Sequence, residues 1–152
     1  SSSESLIQPV LLPDSLESGT LNTTGIMSLK AGISFVKRTG TDHIFGHETE
    51  LCEQFIGLIS DSGDIMVYRD KSASYMPIVS FNIRGMPSGR TAEILAKQGY
   101  CLRAGLHCSA LAHAQLGTKE GTVRFSPSVF SRSEDVSRLA SAIKNVTNMR
   151  NY

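Results

Sequence analysis

Apolar residues recur along this chain at two different periods, and the switches between them outline the elements. Ile26, Leu29, Ile33 and Val36 stand at helical spacing, and Gly40 follows where a terminating glycine belongs. Asp42 is placed to cap a second helix running to about Ile59, with Leu51, Phe55 and Leu58 on its inner stripe. The run Asp61-Ser62-Gly63-Asp64 is a turn, after which IMVY (65–68) and PIVSFNI (77–83) read as strands. Ser88 opens a short helix to Lys97 that Gly99 closes, and residues 100–103 predict a brief strand entering a glycine-containing loop. In TVRFS (122–126) Val123 and Phe125 face one way and Arg124 the other. Ser131 to Glu134 resembles a capping box ahead of a last helix carrying Val136, Leu139, Ile143 and Val146.

The order helix, helix, strand, strand, helix, strand, loop, strand, helix predicts an α+β fold, a small, mainly antiparallel sheet covered by helices. The first twenty or so residues, punctuated by Pro9, Pro13 and Gly19, read as an extended segment ahead of a domain spanning 21–152. Internal repeats and low-complexity tracts are absent. With 152 residues the chain is long enough for one domain with a real core.

Charge narrows the function only by exclusion. Fifteen Lys and Arg against fourteen Asp and Glu give a net charge of +1, and the basic residues are scattered, so neither a nucleic-acid surface nor a membrane surface is expected. No apolar stretch nears the roughly 20 residues of a spanning helix, and the start has no signal-peptide pattern. Three cysteines without metal-type C-x-x-C spacing argue against a disulfide scaffold and for a reduced, cytoplasmic setting, with no metal expected.

Candidate chemistry gathers in RAGLHCSALAH, residues 103–113. Cys108 follows a Gly-containing turn beside His107, which is how a thiolate is made available for attack; a buried loop cysteine without a role is the alternative, and spacing alone leaves both open. Cys52, inside the second helix, and Cys101, inside the expected strand, read as core. A planar guanidinium such as Arg124 suits a substrate carboxylate, which accepts two parallel hydrogen bonds, but it also suits a solvated strand face, and Arg103 is open to the same two readings. ESGTLNTTG (17–25) combines hydroxyls and backbone amides ahead of a helix, as a phosphate site or as capping by Thr23 or Thr24.

Taken in order, these segments resemble the C-terminal third of class V aminotransferase-fold enzymes, in the cysteine desulfurase and selenocysteine lyase group. LPDSLESGTLNTTGIMSLKAGISFVKRTG is similar to the family's E-x-G-T-x-N-x-x-G-I entry into its small domain, and IVSFNI to its central strand. RAGLHC resembles the R-x-G-x-H-C loop of the branch with a short cysteine loop, and GTVRFSPSVFSRSEDV the arginine strand and last helix. Ser109 departs from the Ala usual there.

The resemblance implies a pyridoxal-phosphate (PLP) enzyme in which Cys108 attacks the sulfur of substrate cysteine, alanine leaves and a persulfide remains. It implies that Arg124 holds the substrate carboxylate, that Arg103 orders the loop or joins it, that His107 lies at the substrate, and that Thr20 reaches the PLP phosphate of the partner subunit in a homodimer. The family's Schiff-base lysine, in S-x-H-K, has no counterpart here. The chain is therefore expected to be a piece cut from its cofactor-binding domain and inactive alone, its N-terminal apolar residues (Leu6, Ile7, Val10 to Leu12) having docked there. A selenocysteine lyase, another class V enzyme in which Cys108 is incidental, and a stand-alone sulfur-acceptor or binding module remain alternatives.

Overall fold

A computed structural model describes residues 10–13, 15–17, 19–70 and 72–149. The expectations for Leu6, Ile7 and Pro9 fall outside these residues. The chain divides into two compact units, Ser1–Thr41 and Asp42–Tyr152.

In the first unit the backbone between Leu11 and Glu17 turns instead of extending: the Ser15 amide donates to the Leu11 carbonyl and those of Leu16 and Glu17 to that of Pro13. The helix α1 (Thr23–Thr39) follows. Its cap is Asn22, whose Oδ1 accepts from the Gly25 amide at 2.9 Å, and neither Thr23 nor Thr24 does this work. A Cβ at Gly25 would meet the Asn22 side chain at 2.5 Å, so the capping geometry needs glycine there. Gly40, at φ 86°, ends the helix as expected. The apolar residues at helical spacing, Ile26, Leu29, Ile33 and Val36, are exposed, and no α1 residue is buried, because a lone helix has no second layer to bury against within its unit.

In the second unit four strands, β1 (Ile65–Val67), β2 (Val79–Ile83), β3 (Arg103–Gly105) and β4 (Thr122–Phe125), form one wholly antiparallel sheet in the order β1-β2-β4-β3. One face carries Val79, Phe81, Ile83, Val123 and Phe125, buried under α2 (Thr41–Ile59), α3 (Ser88–Ala96) and α5 (Ser133–Met149). Phe55 of α2 anchors this core, with its ring centroid 4.4 Å from Phe125 and 5.5 Å, edge-on, from Phe81. Gln54 ties α2 to α5 through Ser133 O and Ser137 Oγ, each at 3.1 Å. The α+β expectation holds.

Local differences have local causes. β2 starts at Val79, not at residue 77, because Pro77 has no amide to give the ladder and Ile78 turns its own back to Met76 O. After α3 the Tyr100 amide reaches Leu95 O and that of Gly99 reaches Ala96 O, a Schellman closure with Gly99 at φ 89°. Tyr100 is thus used by the helix end, and the strand forms at 103–105, later than predicted. Cys101 lies ahead of that strand and is exposed, which corrects its assignment to the core. Cys52 is buried as expected, and burial pushes its thiol up to about 11.

The expected loop contains a further short helix, α4 (Ala110–Gln115), built on the helix-favouring run ALAHAQ. At α5 the predicted Ser131–Glu134 box is displaced by one residue. Asp135 Oδ2 accepts from the Arg132 amide at 3.3 Å, while Ser131 Oγ accepts from that of Ser128.

Candidate active site

The register that buries the valines and phenylalanines lines the other sheet face with polar residues. Ser80 pairs with Arg124 and Arg103 pairs with Arg124, so the two arginines stand side by side on neighbouring strands. Parity adds Asn82 and Thr122 to the same face. Among the described residues neither arginine has a carboxylate partner. Like charges directly opposite on a sheet repel, and a site that holds them so is suited to an anion.

Past β3 the chain turns sharply. Gly105 has φ 109°, and Gly121, at φ 81°, approaches it so closely that a Cβ there would run into the Gly105 backbone. The glycine of RAGLHC is therefore demanded by geometry. His107 and Cys108 both take left-handed conformations, φ 50° and 60°, unusual for residues with side chains. The turn closes through the Ser109 amide to Leu106 O at 2.8 Å.

This turn brings the thiol to Arg103. Cys108 is exposed, and Arg103 Nη2 donates to its Sγ at 4.0 Å. His107 Nε2 lies 3.0 Å from the Thr122 carbonyl. A carbonyl only accepts, so Nε2 carries the proton and Nδ1 is left with a lone pair in the neutral ring. Desolvation, followed by the nearby Arg124, Arg103 and His113 charges, lowers the His107 pKa below its ordinary value against the opposing pull of the Thr122 bond. Its ring centroid is 5.8 Å from that of His113, which is buried with Nδ1 2.8 Å from Thr118 Oγ1.

Five buried side-chain polar atoms lack a hydrogen-bond partner among the described residues. Thr49 Oγ1 is in α2; the other four, Asn82 Oδ1, Thr122 Oγ1, Arg124 Nε and His107 Nδ1, belong to the polar face and its turn. Natural proteins rarely leave such atoms orphaned, and four in one place mark where a polar partner belongs.

The structure thus gathers Cys108, Arg103, His107 and Arg124. Thr20 belongs to the first unit, where it is exposed two residues ahead of Asn22. Sequence reasoning passed over Asn82, Thr122 and His113. The first two were detectable, since Asn82 shares parity with Ser80 and Thr122 with Arg124. Among the described residues no cluster of three or more His, Cys, Asp or Glu could hold a metal, and no helix is long and apolar enough to cross a membrane.

The pattern of the Aminotransferase class-V family matches residues 6–139, and the chain belongs to that family. Cysteine desulfurases are among the similar proteins. A probable cysteine desulfurase of Methanothermobacter thermautotrophicus is 34% identical over 140 residues, covering 90% of this chain and 35% of its own length. The cysteine desulfurase of Haloferax volcanii is 29% identical, with 87% and 31% covered. The apo structure of the cysteine desulfurase from Thermococcus onnurineus NA1 superposes with a TM-score of 0.80 at 28% identity, over 90% of this chain and 34% of that one. The chain spans about a third of the length of these relatives.

Proposed function

We propose that this chain supplies the nucleophile and the carboxylate-binding face of a PLP-dependent cysteine desulfurase. The observation that carries the reading is an exposed thiol in contact with Arg103, one of two side-by-side guanidiniums that lack a carboxylate partner among the described residues, next to four orphaned polar atoms of the polar face and its turn. In the overall reaction L-cysteine and the Cys108 thiol become L-alanine and a Cys108 persulfide. The substrate C–S bond breaks, an S–S bond forms, and the carbon that lost sulfur takes a proton.

The residues on this face suit part of such a site. Side-by-side arginines with an orphaned N–H fit an amino-acid carboxylate. None of the four strands contributes a lysine, and no lysine in the chain stands in S-x-H-K, so covalent attachment of PLP is not assigned to these residues. Thr20 is the residue proposed for its phosphate, reached from the partner subunit of a homodimer. When bound, PLP supplies the electron sink for the carbon that gives up sulfur.

The chain's own residues do the rest. Arg124 and Arg103 fix the carboxylate and so aim the substrate's sulfur, worth the rate gained by orientation. Arg103 offers its positive charge to the attacking thiolate, and neutral His107 adds no competing cation. An exposed Cys108 can then pass its sulfur to an acceptor protein.

Cys108→Ala in the full-length enzyme tests this. Persulfide formation from cysteine, read by mass spectrometry or by labelling, should vanish while the bound-PLP spectrum stays unchanged. Normal turnover by the variant would remove Cys108 from the mechanism. The 152-residue chain alone, given cysteine and PLP, should form no persulfide.

A further inference from the structure

We infer that His107 is a positioning residue for Cys108: its Nε2–H, donated to the Thr122 carbonyl, ties the turn that carries the thiol to the central strand beside Arg124. The inference rests on the desulfurase reading only for what the thiol does afterwards.

Residues 107 and 108 are consecutive non-glycines at positive φ. Each such residue costs on the order of 1 kcal/mol, and the conformation persists only where surroundings over-determine it. Within the turn, the Ser109 amide to Leu106 O is a local bond that many turns make. The His107 bond is different, since it joins positions fifteen residues apart and fixes the turn to a rigid strand. Releasing it lets both residues relax toward ordinary φ values, and a changed φ at 107 and 108 carries Sγ away from Arg103 Nη2. The groups facing the imidazole are Arg124 from β4, Arg103 from β3, His113 from α4 and its neighbour Cys108. None is anionic in its ordinary state, and the pull of the Thr122 carbonyl toward a second proton is outweighed by desolvation of the ring. The imidazole is thereby kept as a one-proton donor with its single N–H committed to the strand.

The test compares two substitutions in a Cys101→Ser background, which removes the other exposed thiol. His107→Phe keeps the ring's bulk and deletes the donor; His107→Gln replaces the donor at nearly the Nε2 position. Alkylation of Cys108 by iodoacetamide at pH 7, followed by mass spectrometry, should slow about fivefold or more in His107→Phe and stay within about twofold in His107→Gln, because thiolate supply depends on the neighbouring cation. An unchanged rate in His107→Phe overturns the proposal, and so does a folded His107→Gln that is as slow as His107→Phe. Should His107→Phe fail to fold, nitrogen-15 NMR of the unsubstituted chain decides. A neutral Nε2–H tautomer titrating below the ordinary 6.5 is expected, and an Nδ1–H tautomer or a charged ring at pH 7 refutes it. Neither readout needs PLP or substrate. If both come out as expected while the full-length protein makes no persulfide, the desulfurase reading fails and the positioning role stands.

Discussion

Arg103 and Arg124 face each other across β3 and β4, and among the described residues neither has a carboxylate partner, which makes each a cost to the fold. Opposed like charges on a sheet destabilise by roughly 0.2–1 kcal/mol. Arg103→Met keeps the aliphatic stem and removes that repulsion. Urea unfolding of this variant should show stability unchanged or raised by up to about 1 kcal/mol, while the full-length enzyme carrying it should show a higher KM for cysteine. A loss of more than about 1 kcal/mol would mean that Arg103 stabilises the fold through more than its long contact with Cys108. Period-two alternation was enough to put Arg124 opposite Val123 and Phe125. Its neighbours were not legible, because which residue of β3 or β2 lies beside it depends on register between strands far apart in sequence. The same holds for Asn82 and Thr122, whose parity was readable but whose burial was not.

At the scale of elements, the helices that pack on the core were the legible ones. Leu51 and Phe55 in α2, and Val136, Leu139 and Ile143 in α5, repeat every three or four residues and are buried. α1 repeats the same way and buries nothing, because periodicity reports an apolar face and not the surface that covers it. β3 was misplaced by the helix closure at Gly99, and Gly99→Ala should therefore cost about 1–2 kcal/mol in chemical denaturation, since the residue sits at φ 89°. The link between β3 and α4 carries a pH dependence. The folded His107 pKa lies below the unfolded value of 6.5, so the unfolded chain binds more protons in the interval between them. Its contribution is complete above 6.5 and is lost as pH falls through that interval. Glu93 and Asp135, both held below their ordinary values by neighbouring basic side chains, act only further down, below 4.5 and 3.8. Stability measured by denaturation between pH 7 and 5 should thus fall with acidification, and His107→Gln should flatten part of that slope.

For the second unit as a whole, the sheet separates two chemistries. One face is closed by three helices on a phenylalanine-centred core, and the other presents the arginines, the thiol and the orphaned polar atoms. The three cysteines report on this division because each has a different address. Cys52 is sealed in the core with its thiol pushed up to about 11, whereas Cys101 and Cys108 are exposed. The thiolate is the reacting form, so burial and the raised pKa both withhold Cys52 from an alkylating reagent. At pH 7 two thiols should label promptly in the native chain and the third only in denaturant. The slow phase should have the urea dependence of global unfolding, because Leu51, Phe55 and Ile59 surround the Cys52 position on a helix that cannot open without breaking the core. Prompt labelling of all three in the absence of denaturant would show that α2 detaches from the sheet on its own, and the site face would then rest on a far looser support than its closed core implies.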